Sequence, residues 1–293
     1  MTTEPRSPAP GGSSWTRSTE AALRDAVIVD THVHLGVSHS TGVRITSADL
    51  VSAMREYRLS ACLVMPQPTD PQALQTHAEI AKLARSAPGR VFGIALLDPR
   101  LSRSQFEMHA ERLLDGDGFV ALKLHTFGHQ VAPDDDACHK VFLAARKYRR
   151  PVMIHTGLGG PHTLPQRAEH MAQIYSDLPI VLCHAGFGAF WREAIEVAEK
   201  CENVLLEPSW SPGFAIGLMV ERLGANRIIF GSDHPSNIAT ELVKLAGLGL
   251  SRPDLAAILG GNAIDVFSLN DIPVPFLSPF EDTDHPVKMD EQW

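Results

Sequence analysis

"VIVDTHVHLG", residues Val27–Gly36, decides how the rest of the chain reads. The apolar run Val27, Ile28, Val29 leads into Asp30, His32 and His34 at alternate positions. Alternate residues of an extended chain point to the same face. Both imidazoles are therefore expected to project together from the end of a buried strand.

Seven further runs of the same kind follow: Ala61–Met65, Val91–Leu96, Val120–Leu124, Val152–Ile154, Ile180–Cys183, Val204–Leu206 and Ile228–Phe230. They are continuous apolar runs, as parallel strands covered on both faces require. The segments between them carry helical signals. In "SADLVSAMREYRL" Ser47 reads as an N-cap before Leu50, Met54 and Leu59. "DDDACHKVFLAARKYRR" begins acidic and ends basic, in line with the helix dipole, and "GAFWREAIEVAEKC" and "SNIATELVKLAGL" are amphipathic. Eight β-α alternations predict a single-domain (β/α)8 TIM barrel over residues 21–270. The rival is a doubly wound open sheet, but no GxGxxG turn follows the first strand. Residues 1–20, rich in Pro, Gly and Ser, read as a disordered lead-in, and residues 271–293 as a proline-rich acidic tail.

Composition narrows the function. The 293 residues are 44% hydrophobic with a net charge of −8, which disfavours a nucleic-acid partner. No apolar run approaches the ~20 residues that span a bilayer, and the N-terminus lacks the apolar segment of a secretory signal. Four cysteines without a CxxC pair fit reduced thiols in a cytoplasmic protein. A small-molecule substrate is the expected partner, and a homodimer is expected on general grounds alone.

The fourteen histidines matter for where they fall. In such a barrel the chemistry sits at the C-terminal strand ends. There the chain carries His32 and His34, then Lys123 and His125 in "KLH", His155, His184, Glu207, and Asp233 with His234. One strand-end histidine is commonly structural. Several converging on one ring would repel one another if protonated, and a divalent cation resolves this, since imidazole and carboxylate are its natural ligands.

"DTHVH", "KLH", "IHTG", "CHAG" and "FGSDHP", in that order, resemble the strand-end motifs of the amidohydrolase superfamily. The similarity is to the branch holding amidohydrolase-2-type metal-dependent hydrolases and the aminocarboxymuconate-semialdehyde decarboxylase group. "ILGGNAIDVF" resembles the closing segment of that branch, so the likeness spans Val27 to Phe267. The resemblance implies metal ligands at His32, His34, His155 and Asp233. It implies that His184 holds a second metal or contacts substrate, and that Asp233 doubles as a proton carrier. Lys123, if carbamylated, would bridge two ions; the branch with "KLH" is mostly mononuclear, and one ion is favoured.

The expected chemistry is hydrolysis, with a metal-activated water attacking the carbonyl of a small amide, ester, thioester or lactone. Zinc is the expected ion, with iron, manganese and cobalt as alternatives. Catalysis would fall to Asp233 and His184. The alternative is non-oxidative decarboxylation of an aromatic or unsaturated acid. A third reading, an inactive barrel acting as a binding protein, has no support from the residues, since every motif position is filled. Substrate contacts are expected from His125, Phe127, His162, Glu207 and Trp210, with Glu207 alternatively pairing with Lys123.

Overall fold

The computed structural model describes residues 23, 25–38 and 42–272. The expected lead-in over residues 1–20 lies outside the described residues, as does the tail beyond residue 272. Eight strands form one sheet: β1 (Val29–Val37), β2 (Arg44–Ile45), β3 (Ala61–Pro66), β4 (Val91–Leu96), β5 (Ala121–Leu124), β6 (Val152–His155), β7 (Ile180–Cys183) and β8 (Val204–Glu207). β1 and β3 to β8 are parallel neighbours in chain order. β2, which the sequence did not reveal, is a short antiparallel return on β1.

The expected strand Ile228–Phe230 closes the cylinder without forming a regular ladder. Single parallel bridges join Leu206 to Ile228 and Val33 to Asp233. Ile229 N donates to Leu206 O (2.9 Å) and Thr31 N to Phe230 O (3.2 Å). Phe230 N instead donates to Ile258 O (3.0 Å), in the π-helical turn Ala257–Gly261, so one ladder bond is diverted. The fold is a (β/α)8 barrel sealed by isolated bridges.

Side chains alternate between two cores, as parallel strands covered on both faces demand. Ala61, Leu63 and Met65 fill the barrel with Ile94, Met153 and Val181. Cys62 and Val64 pack outward against the helical layer. β1 breaks this rhythm. Its register against β3 shifts between Asp30 and Val33. Val29 packs inside the barrel, whereas Val33 and Leu35 pack outside it. A bulge therefore reverses the parity, and His32 and His34 turn inward. Asp30 is in register with the outward-packed Cys62, so it does not share a face with His32, contrary to what simple alternation predicts.

The helices follow the sequence signals closely. Thr46, not Ser47, caps the helix Ser47–Glu56, with Asp49 completing a capping box. The acidic-to-basic segment forms a short 3₁₀ turn, Asp136–Cys138, before the helix His139–Tyr148. The helices Trp191–Lys200 and Ile238–Ala246 occupy the other two expected stretches. Among the described residues, no helix is long and apolar enough to cross a membrane.

Candidate metal centre

His32, His34 and Asp233 converge at the C-terminal mouth, their ligand atoms within 4.8 Å of one another. Asp233 Oδ1 lies 3.4 Å from His32 Nε2 and 3.3 Å from His34 Nε2. These contacts are longer than a charge-assisted hydrogen bond of about 2.7–2.9 Å. They match instead the roughly 3.4 Å between corners of a tetrahedron with ~2.1 Å metal–ligand bonds.

The outer nitrogens of both rings are already engaged. His34 Nδ1 meets Pro66 O at 2.8 Å, and His32 Nδ1 meets Glu207 Oε2 at 2.7 Å. His34 thus faces oxygen acceptors at both nitrogens, which a ring with one N–H cannot satisfy. An ion between Nε2 and Asp233 removes the conflict. The donor set fits a divalent cation.

Asp233 is held in a left-handed backbone conformation (φ 68°). Ser232 anchors it: Ser232 Oγ donates to Asp30 Oδ2 (2.6 Å) and Ser232 N to Asp30 Oδ1 (3.0 Å). Burial raises the Asp30 carboxyl to about 7, against the lowering effect of those same hydrogen bonds. Trp210, itself at φ 64°, donates Nε1–H to Asp233 Oδ2 (2.8 Å). His184 (φ 65°), Ala185 (φ 43°) and Phe187 (φ 53°) also adopt left-handed conformations at this rim. Such residues cost about 1–3 kcal/mol each and tend to gather at functional sites.

Burial alone would raise the Asp233 carboxyl, but His184, the His34 hydrogen bond and His32 outweigh it and hold it well below the ordinary range. Desolvation keeps His32, His125 and His184 well below the usual imidazole value. It brings His155 down to about 4, helped by the nearby Lys123 charge. Lys123 is buried, with Nζ 3.1 Å from His32 Nε2.

The other expected site residues form a second arc. His184 lies beside His32, with ring centroids 4.9 Å apart, and its Nδ1 meets Ser209 Oγ at 2.8 Å. The His155 ring lies 4.8 Å from His184 and stacks on His125 at 4.5 Å. His155 stands outside the cluster of three ligands; its Nε2 meets Leu158 O (3.1 Å), while its buried Nδ1 has no partner. His125 Nδ1 accepts from Gly128 N (3.0 Å).

Phe127 and Trp210 stand at the mouth, 39% and 43% exposed, and Trp210 stacks on Phe187 at 6.2 Å. His162 is half-buried against Gly160, with Nε2 unpartnered. Glu207 is fully buried beneath the histidines and meets His32. The sequence reading assigned no role to Asp30, Ser209 or Ser232. Asp30 stood in the opening motif, but Ser209 and Ser232 left no signal beyond lying near strand ends.

A divalent-metal barrel of this design defines a class, and the chain belongs to it: the amidohydrolase family model matches residues 29–269. No curated protein matches the chain in sequence. Among solved structures it is similar to 5-carboxyvanillate decarboxylase from Sphingomonas paucimobilis (TM-score 0.68, 14% identity, 83% of this chain and 99% of that one). It is also similar to dihydroxybenzoic acid decarboxylase from Polaromonas sp. JS666, solved with manganese and the inhibitor 2-nitroresorcinol (TM-score 0.65, 18% identity, 84% and 98% covered). A third is a probable 2-pyrone-4,6-dicarboxylic acid hydrolase from Acinetobacter baumannii with citric acid bound (TM-score 0.61, 14% identity, 82% and 99% covered). These likenesses concern the fold. The family match makes the chain an enzyme of the amidohydrolase superfamily with a divalent metal.

Proposed function

We propose that the protein is a metal-dependent decarboxylase of an aromatic or unsaturated carboxylic acid. This reverses the order expected from sequence, where hydrolysis stood first. The observation that carries it is the pairing of one compact set of ligands with aromatic walls. Phe187 and Trp210 stack nearly parallel, at 19°, and Trp210 also touches Asp233. Such a rim suits a flat substrate ring. The decarboxylases among the similar structures support the same reading.

His32, His34 and Asp233 would hold one ion, with His155 as a further donor through its unpartnered Nδ1. Zinc and manganese both suit these ligands. The only other cluster able to hold a metal among the described residues reuses His32, with Cys183 and Glu207. Its His32 nitrogen, Nδ1, already meets Glu207 Oε2 at 2.7 Å, so we assign a mononuclear site and an uncarbamylated Lys123.

When bound, the ion supplies Lewis-acid polarisation of a substrate oxygen. Asp233, held ionised, takes a proton from an acidic hydroxyl of the substrate and returns it to the carbon that sheds its carboxylate. The bond to that carboxylate breaks, CO2 leaves, and its electron pair forms the new C–H bond. Solvent restores the hydroxyl proton. His184 offers a second base beside Asp233.

A second reading, hydrolysis of a lactone or related carbonyl, is favoured by the same ionised carboxylate, which could instead take a proton from water. The manganese- or zinc-loaded protein should release CO2 from one or more hydroxybenzoates. Turnover of pyrone or simpler lactones, with no CO2 from any carboxylate, would overturn decarboxylation in favour of hydrolysis.

A further inference from the structure

We infer that Glu207 is a positioning residue that sets the proton order of both His32 and His184, acting on the second through Ser209. This extends the proposed metal site, but depends on neither reaction.

The assignment follows from which groups can donate. An ionised carboxylate accepts hydrogen bonds and donates none. Glu207 is fully buried, and donors surround it. Ser209 N donates to Oε1 (2.8 Å) and His184 N to Oε2 (3.3 Å). His32 Nδ1 stands 2.7 Å from Oε2, so this nitrogen carries the proton. The Nε2 lone pair of His32 is then left to face Asp233 and Lys123. Lys123, which can only donate, meets that nitrogen at 3.1 Å and requires the same tautomer.

The second ring follows by one more step. Ser209 Oγ–H donates to Glu207 Oε2 (3.2 Å). With its only proton spent there, Oγ can offer His184 Nδ1 nothing but a lone pair, at 2.8 Å. His184 Nδ1 must therefore be the donor, and its Nε2 presents a lone pair. One buried carboxylate thus aligns two rings, one on β1 and one just past β7. Metal-bound histidines are commonly steadied by such an outer carboxylate; here the effect also reaches a histidine outside the three-ligand cluster.

Gly231 makes the arrangement possible. A Cβ there would lie 2.8 Å from Glu207 Cδ, so only glycine lets the closing segment pass over the carboxylate. Glu207 is accordingly not the substrate contact expected from sequence.

The test is long-range ¹H–¹⁵N spectroscopy of the histidine rings in the full-length chain, stripped of metal and then titrated with zinc. Wild-type protein should show Nδ1–H for both His32 and His184. In Ser209→Ala, His184 alone should lose that preference, and Ser209→Thr should restore it. In Glu207→Gln, the single carbonyl oxygen cannot serve donors on both sides, so both rings should change. Zinc affinity of that variant, read by competition with a chromophoric chelator, should fall about 10–100-fold.

Nε2–H on either ring in wild type overturns the assignment. So does an unchanged His184 in Ser209→Ala, a variant that stays decisive even where Glu207→Gln fails to fold. No substrate enters either measurement, so a protein inactive on every carboxylate tried would refute the proposed reaction and leave this result standing.

Discussion

Buried histidines lie on opposite sides of the sheet, a group at the mouth and His77 outside it. At the barrel mouth, His32, His34 and His184 each have Nδ1 tied to an oxygen, and the His32 and His34 Nε2 atoms converge on Asp233. Outside β4, on the helix Ala73–Ser86, His77 is also fully buried. Its Nε2 accepts from Leu96 N at 3.1 Å, and its ring packs 5.8 Å from Phe119. Burial brings His77 down to about 3. Burial also holds His32 and His184 below the usual imidazole value, so lowered basicity does not mark out the mouth. What separates them is Nε2: that of His32 and of His34 faces Asp233, whereas His77 spends it on the backbone N–H of Leu96.

The comparison breaks first at the metal. Replacing His32 or His34 with Ala should leave about a tenth or less of the bound ion by elemental analysis, while His77→Gln keeps full occupancy. Retained metal in His32→Ala would remove that ring from the ligand set. Next in size is Asp233→Asn, which should lower kcat about 10²–10⁴-fold with a far smaller change in KM. An unchanged rate would show that the carboxylate carries no proton.

His77 answers on a different scale, through folding. An unfolded histidine takes up a proton near pH 6.5, but the folded one resists until about 3. Between those values the unfolded state binds more protons, so stability falls as pH falls, by about 1.4 kcal/mol per unit for this group. Denaturant titrations at pH 6 and 4.5 should show wild type losing about 2 kcal/mol more than His77→Gln. Equal losses would mean that His77 is protonated in the fold. The smallest effect is expected from Trp210→Phe, which keeps the aromatic wall but deletes the Nε1–H donor to Asp233; kcat should drop about 3–10-fold with metal retained.

The sequence carried the barrel because its signal is local. Strands such as Ala61–Pro66 and Ile180–Cys183 announce themselves as apolar runs. His32, His34 and Asp233 were legible for the same reason, since strand-end position places them at one mouth. The parity switch in β1 was not, because a bulge depends on what the strand pairs with. Glu207 was placed at the right strand end, but its contacts with His32 and Ser209 were not foreseen. Its partners His32 and Ser209 lie on different strands and loops, and spacing along a chain does not say which side chain lies above another. The eighth segment lost its ladder for a similar reason, a carbonyl from residue 258 that no reading of "IIFG" could supply.

The seam between the first strand and the closing segment also sets a timetable. Ser232 reaches Asp30 across 202 residues of chain, and Thr31 reaches Phe230 across 199. Contacts so distant in sequence form late, because a long loop must close before they reward it. During synthesis, His32 and His34 leave the ribosome long before Asp233. The nascent chain therefore passes through a long interval with His32 and His34 made and Asp233 still missing. The proposed centre can be assembled only when the last wall docks, so its assembly and barrel closure become a single late event.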